Sequence, residues 1–239
     1  MAIQRTESIF RWVWEASRGN PVKENATLTC GTDGNLVLAD TDGSVAWQTN
    51  TAKKGVVGFQ LLPNGNIVLH DSKGNFVWQS FDYPTDTLLV GQSLKVGGVT
   101  KLVSRLSKKE NVNGPYSLST TFNCDSEAEG GAASELPLDF QLSDNTTTGK
   151  FLLGRLKYNG TASFIRIGID GNVKIYTYYD KVSWGGWEVT LTLFNRESIW
   201  ETECQLPERC GSFGLCEDNQ CVACPSPNGL LGWSNSCQP

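Results

Sequence analysis

DGNLVLADTDGSVAWQT, residues 33–49, set above NGNIVLHDSKGNFVWQS, residues 64–80, aligns Gly34 with Gly65, Asp40 with Asp71, Gly43 with Gly74 and Trp47 with Trp78. The two tryptophans lie 31 residues apart, a period that marks one supersecondary unit packed on its neighbours. Each copy reads as a strand at 36–39, a glycine-bearing turn at 40–43 and a second strand at 44–48, which is a hairpin. A fainter third copy, DGNVKIYTY, opens the same way at Asp170.

Side chains alternate faces along a strand, so Asp33, Asn35, Val37 and Ala39 share one side and Leu36 and Leu38 the other. The second copy sets Asn64, Asn66, Val68 and His70 against Ile67 and Leu69, and the third sets Asp170, Asn172, Lys174 and Tyr176 against Val173 and Ile175. Lys174 identifies the wet side, because an unpaired lysine is almost never fully buried. Trp47 and Trp78 then belong beneath the sheets. Three units around an axis would bury a shared indole cluster, worth about 1.5–3 kcal/mol per large side chain.

The remainder of the 239 residues fits a chain of about two domains. Eight tryptophans and 25 glycines against one methionine suit short strands between tight turns. Net charge is −5 with lysine and arginine scattered, so no footprint for nucleic acid is present. No apolar run approaches the roughly 18 residues of a membrane span.

Six of the eight cysteines, Cys204, Cys210, Cys216, Cys221, Cys224 and Cys237, crowd into the last segment. So short a segment buries too little apolar surface to hold itself, and it reads as a disulfide framework. Sequence alone leaves fifteen pairings open for six cysteines. Cys30 and Cys124 stand apart, either bridging or free. Asn-x-Thr acceptors at Asn25, Asn145 and Asn159 point to the same secretory route, although Asn159-Gly160 is also a good hairpin turn. The opening MAIQRTESIFRWVWE lacks an apolar core before a small-residue cleavage site, which suggests a fragment or a mature form with an initiator Met.

WVWEASRGNPVKENATLTCGTDGNLVL (12–38) and VWQSFDYPTDTLLVGQSL (77–94) resemble the bulb-type mannose-binding lectin domain of plants. The forms are similar to those of S-locus glycoproteins, receptor-like kinase ectodomains and above all the secreted extracellular-protein-one-like glycoproteins. The resemblance implies an all-β chain: a β-prism lectin domain of three four-stranded sheets, a second lectin-like domain that includes Arg155 to Phe194, and an EGF-like module at CQLPERCGSFGLCEDNQCVACPSPNGLLGWSNSC (204–237). The expected division is 1–100, 101–200 and 201–239. The first domain would be truncated at its N-terminus, and a PAN module would be missing after Pro239. The EGF pattern implies bridges Cys204–Cys216, Cys210–Cys221 and Cys224–Cys237. The stretch 123–149, rich in Gly, Ala, Ser and acid, is short for this part of the family, leaving either an incomplete second domain or a mobile loop.

The resemblance also implies a mannose site, Gln-x-Asp-x-Asn-x-Val-x-Tyr, in which every second residue of one strand face meets a single sugar. The first copy reads Gly31, Asp33, Asn35, Val37, Ala39; the second Leu62, Asn64, Asn66, Val68, His70; the third Gly168, Asp170, Asn172, Lys174, Tyr176. No copy is intact. The candidate sugar contacts are therefore Asp33, Asn35, Val37, Asn64, Asn66, Val68, Asp170, Asn172 and Tyr176. The competing reading is turn chemistry, in which Asp or Asn closes an Asx-turn and Gly takes positive φ.

Catalysis finds little support. His70 is the one histidine, and neither a Gly-x-Ser-x-Gly elbow nor a phosphate-cradling Gly-Lys-Ser/Thr loop is present. Cys221-Val-Ala-Cys224 has no matching second thiolate pair for zinc. The expectation is a secreted, extracellular or cell-wall lectin-like glycoprotein without catalytic residues, metal or cofactor, with weak or vestigial mannose binding. Its expected partners are mannose-containing glycans or other extracellular proteins. The alternative is a structural or protein-interaction component that binds no sugar, with Phe213 and Trp233 near its EGF-like surface. An open sheet edge would favour self-association.

Overall fold

Every repeat begins with the same chain reversal. At Gly31–Asn35 the amide of Gly31 donates to Asn35 O and Gly34 N donates to Gly31 O, and the same pair of bonds recurs at Leu62–Asn66 and Gly168–Asn172. Gly34, Gly65 and Gly171 hold φ of +84°, +89° and +79°, backbone that favours glycine. Each reversal joins two antiparallel strands.

A computed structural model describes the backbone of residues 2–3, 11–95, 98–119, 138–142, 149–153, 162–179, 186–198, 201–207, 209–211, 214–226 and 229–231. Two short strands, β1 (Ala2–Ile3) and β2 (Arg11–Trp12), pair with each other. The first repeat folds as β3 (Thr27–Cys30), β4 (Leu36–Ala39) and β5 (Val45–Gln48), the second as β6 (Gly58–Leu61), β7 (Ile67–His70) and β8 (Phe76–Gln79). Each is an antiparallel sheet of three strands among the described residues, where the lectin resemblance implies four. Matching irregularities fall between Leu38 and Ala39 and between Leu69 and His70.

Beyond them come β9 (Thr87–Leu89), β10 (Ser93–Lys95), β11 (Lys101–Arg105), β12 (Asn113–Ser119), β13 (Leu138–Leu142) and β14 (Gly149–Leu153). They are followed by β15 (Ala162–Ile167), β16 (Val173–Tyr179) and β17 (Gly186–Thr192). The four-stranded sheet runs β17-β16-β15-β9, and β10 pairs with β14, so strands that follow the second repeat closely are completed by strands from far along the chain. β18 (Leu215–Glu217), β19 (Gln220–Ser226) and β20 (Gly229–Leu231) form the last sheet.

The core-facing row is the one parity selects. Leu36, Leu69 and Trp78 are buried together, with Trp14, Trp47, Val56 and Ile67 packed around them. The indoles meet edge to face, with centroids 6.0 Å (Trp14–Trp47), 6.2 Å (Trp14–Trp78) and 5.6 Å (Trp47–Trp78) apart.

Two expectations need correction. The third indole is Trp14, not a residue of the Asp170 repeat. That repeat packs aromatics of its own, with Phe164 stacked on Tyr176 at 4.9 Å and touching Trp187 edge-on at 5.1 Å. The supposed wet row is also largely closed: Asn35, Asn66 and Asn172 are 8, 2 and 4% exposed and Val68 is 0% exposed. Alternation told the two faces apart, but it carried no information about what would lie against the second.

The four-stranded sheet is covered on both sides. Leu88, Ile165, Ile167, Val173 and Ile175 pack with Leu94 and Leu102 on one face, while Leu89 and Phe164 pack with Val13 and Phe81 on the other. At its edge Asp86 is buried against Arg105 (3.0 Å) and Arg166 (3.7 Å), and Glu15 pairs with Arg105 (3.6 Å) and Arg18 (3.7 Å). Burial lowers the Arg166 and Arg18 guanidinium pKa, and Asp86 opposes that shift in both.

The C-terminal segment contains the bridges Cys204–Cys216 and Cys210–Cys221, the pairing the EGF resemblance implies. The side chain of Cys224, and the whole of Cys237 and Cys124, lie outside the described residues, and with them the expected Cys224–Cys237 bridge; Cys30 is an exposed free thiol. Loops of 12 and 11 residues give about 3 kcal/mol each from lost unfolded-state entropy. The double change Cys210→Ser/Cys221→Ser is expected to expose this segment to limited proteolysis and leave the Trp78 near-UV signal intact.

Candidate functional site

The nine proposed sugar contacts sit on the three chain reversals and the strands that leave them. In the first, Asp33 Oδ1 accepts the Asn35 amide N–H at 3.0 Å, closing an Asx-turn. Its carboxylate leans over Gly31, where a Cβ would come within 2.5 Å of Oδ1. Asn35 then spends both ends of its side chain inside the fold. Nδ2 donates to Gln48 Oε1 at 2.9 Å, and Oδ1 accepts from Thr49 Oγ1 and from Thr51 N, both at 3.1 Å.

The second copy repeats the pattern, with the last backbone donor one residue earlier in its unit. Asn64 Oδ1 accepts from Asn66 N (3.1 Å), Asn66 Nδ2 donates to Gln79 Oε1 (2.8 Å), and Asn66 Oδ1 accepts from Ser80 Oγ and Phe81 N (both 3.2 Å). In the third, Asp170 Oδ1 accepts from Asn172 N (3.0 Å), while the Asn172 amide donates to Phe194 O (2.8 Å) and accepts from Phe194 N (3.1 Å). Each asparagine thus braces its turn to a later segment of its own unit. A buried amide with all these bonds made resists removal, because its partners would stay buried and unpaired.

The brace has a measurable consequence. Asn66→Ala strands Phe81 N–H and Gln79 Oε1 and should cost about 1–3 kcal/mol in denaturant unfolding. Asn64→Ala, at an exposed side chain that caps only the turn, should cost less than about 1 kcal/mol.

The remaining positions divide by exposure. Asp33 is exposed and Val37 half-buried on the outer face of the first sheet, beside exposed Thr29 and Gln48. Val68 is buried. Lys174 folds onto Asp170, with Nζ 3.3 Å from Oδ2, and Tyr176 is stacked against Phe164. His70 lies over Gly58, whose missing Cβ would fall 2.4 Å from Nε2, and its Nδ1 is 3.1 Å from Asp71 O. That is a packing role, with no acid or nucleophile in contact among its described partners. No group of three or more His, Cys, Asp or Glu residues suited to a metal occurs among the described residues.

Sequence reading missed Trp14-Glu15 as a relative of Trp47-Gln48 and Trp78-Gln79, although all three pairs follow an apolar residue. Of the glycan acceptors, Asn25 is exposed with φ +70°, two residues before β3; Asn145 and Asn159 lie outside the described residues, as do Phe213 and Trp233.

A model of the D-mannose binding lectin family matches residues 11–109. The epidermis-specific secreted glycoprotein EP1 of Daucus carota is 54% identical over 290 aligned positions, taking in 100% of this chain and 74% of EP1. EP1-like glycoprotein 3 of Arabidopsis thaliana is 50% identical over 270 positions, 97% of this chain and 60% of that protein. The receptor-like serine/threonine-protein kinase SD1-7 of Arabidopsis thaliana is 28% identical over 237 positions, 90% of this chain and 28% of the kinase. An alignment to EP1 of 290 positions against a chain of 239 leaves stretches of the comparison that this chain does not fill.

Proposed function

Because this chain belongs to the EP1 and EP1-like glycoproteins and carries their lectin domain, we propose that it is a secreted, non-catalytic lectin-like glycoprotein with vestigial mannose recognition. Secretion is supported by the names of its relatives and by two disulfides, bonds that persist in oxidising compartments. We keep 1–100, 101–200 and 201–239 as the proposed division, with its first junction crossed by the β9–β15 and β10–β14 pairings.

One observation carries the reading of the sugar site: the amide of each motif asparagine is already hydrogen-bonded within the protein. What is left for a ligand is the outer face of the first sheet, with the Asp33 carboxylate and the Val37 side chain exposed or half-exposed. The second copy offers only the neutral amide of Asn64 where the first has the Asp33 carboxylate, and the third copy's Asp170 is held by Lys174. A shallow site with so few polar groups binds a mannoside at millimolar strength. Titration of the disulfide-intact protein with methyl α-mannoside, followed by NMR at Asp33 and Val37, tests this. Shifts confined to those residues and lost in Asp33→Ala support it; silence at tens of millimolar removes mannose from the proposal.

A second reading, a protein-binding component that takes no sugar, draws on the two edge strands. Leu28, Phe59 and Leu61, on the core-facing rows of β3 and β6, are 56, 47 and 51% exposed. Apolar side chains beside unpaired strand edges favour contact with another chain, including a second copy. Light scattering at high concentration separates the readings, because a monomer throughout would remove the motive for this one.

A further inference from the structure

At one end of the indole cluster lies a cleft of about 240 Å³, and its chemistry differs from that of the strand faces. Trp14, Trp47, Trp78 and Tyr83 form its apolar wall. Tyr83 stacks on Trp78 with centroids 5.6 Å apart and 16° between planes, and it is 50% exposed, so one ring face packs while the phenol remains open to solvent. Trp14 Nε1 donates to Tyr83 O at 2.9 Å, which fixes that segment to the cluster.

Polar groups converge on the same wall. Gln48, beside Val37 on the outer face of the first sheet, also lines the cleft, and a comparison with its repeat partner shows what is open in it. Gln79 accepts from Asn66 and also donates to Asp82 at 3.1 Å, whereas Gln48 accepts from Asn35 and its Nε2 donates to nothing among the described residues. Asn50, exposed at φ +56°, adds a second amide that makes no hydrogen bond there. Glu15, which also lines the cleft, is spent on the fold: Oε2 accepts from Asn111 Nδ2 at 2.9 Å, while Oε1 is buried and faces Arg18 and Arg105 at 3.7 and 3.6 Å.

We propose that this cleft is a saccharide site centred on the aromatic wall and not on Asp33, taking one neutral pyranose ring whose C–H face lies on Tyr83 and the indole edges. Gln48 and Asn50 donate to and accept from the ring hydroxyls. A sugar is amphipathic in just this manner, apolar across the ring and polar around its rim, so an aromatic wall edged by amides complements it. The volume falls below the roughly 300–1,000 Å³ of drug-sized ligand pockets, which limits the occupant to a terminal residue. A net charge of −5 disfavours uronic acids. Phenol, with a single hydroxyl, would leave most of the amide groups without partners.

The test uses the full disulfide-bonded chain and the methyl glycosides of glucose, galactose and mannose, read by tryptophan emission and saturation-transfer NMR. At least one glycoside is expected to bind in the millimolar range and shift the emission. Tyr83→Ala should weaken it by about tenfold, Tyr83→Phe should keep it, and Gln48→Glu, which retains the acceptor for Asn35 but loses the donor, should weaken it about fivefold. Asp33→Ala should leave this binding unchanged. Near-UV circular dichroism of each variant confirms that the indole cluster is still packed. No response to any glycoside, a response only to phenol, or binding that fails in Asp33→Ala and survives Tyr83→Ala would each overturn the proposal, and the last would leave the strand-face reading standing.

Discussion

Asp86→Ala is expected to destabilise the protein by about 3–5 kcal/mol, the cost of breaking a buried charge pair from one side. Asp86 is 1% exposed and sits beside Arg105 Nε at 3.0 Å and Arg166 Nε at 3.7 Å, and Thr87 Oγ1 donates to it at 2.8 Å. Arg166 donates to Thr87 Oγ1 and to the carbonyl of Trp12 and lies 5.0 Å from the centre of the Phe164 ring. Removing the carboxylate leaves that guanidinium buried without its counter-charge. Burial already lowers the Arg166 pKa and Asp86 is the main group opposing this, so the loss falls on the cation.

The same substitution at the surface should do little. Lys95 and Asp82 approach to 2.5 Å, but both side chains are more than a third exposed, and Asp82→Ala should cost less than about 1 kcal/mol. Urea unfolding of the two variants, disulfides intact, reads the difference as a shift in midpoint. Adding Arg166→Met to Asp86→Ala should return part of the loss, because the unpaired charge is then gone. If Asp86→Ala unfolds within about 1 kcal/mol of wild type, the charge cluster does not join β9 to β15 energetically.

Trp78→Ala is expected to cost about 3–5 kcal/mol, the range for deleting a large aromatic from a packed core. Trp78 is buried, touches both other indoles edge-on and stacks on Tyr83, so its removal unsupports three aromatic neighbours together. Trp78→Phe should recover a substantial part of the loss. Thermal unfolding followed by near-UV circular dichroism provides both readings, since the cluster dominates that signal. Retention of the wild-type spectrum in Trp78→Ala would show that the three indoles do not form one cooperative core.

How much of this was legible beforehand varies by residue. The 31-residue echo between Trp47 and Trp78 located two hairpins, and parity put Leu36 and Leu69 in the core, where they are. The leading strands β3 and β6 went unread, because TLTC and GFQL are short and lack a strong alternating pattern. The Asp170 repeat opens with the same reversal as the others, and that local likeness concealed a different neighbourhood: it pairs with β9 and leaves the third axial place to Trp14. Asp-Gly-Asn announced a turn, and all three turns formed. Whether the asparagine would face solvent or brace its unit depended on Thr49, Ser80 and Phe194 arriving from 14 to 22 residues away.

From the chain alone came the all-β class, the hairpins, the core row and the cysteine-rich end, because turn geometry and side-chain alternation act over a few residues and are written into local order. Tertiary structure alone decided that Asn35, Asn66, Val68 and Asn172 of the outer row would be buried, that the motif amides would be consumed internally, and that Arg105 and Arg166 would converge on Asp86. The physical reason is that hydrogen-bond saturation and desolvation belong to a group's whole surroundings, and those surroundings are assembled from segments whose distance in sequence says nothing of their distance in space.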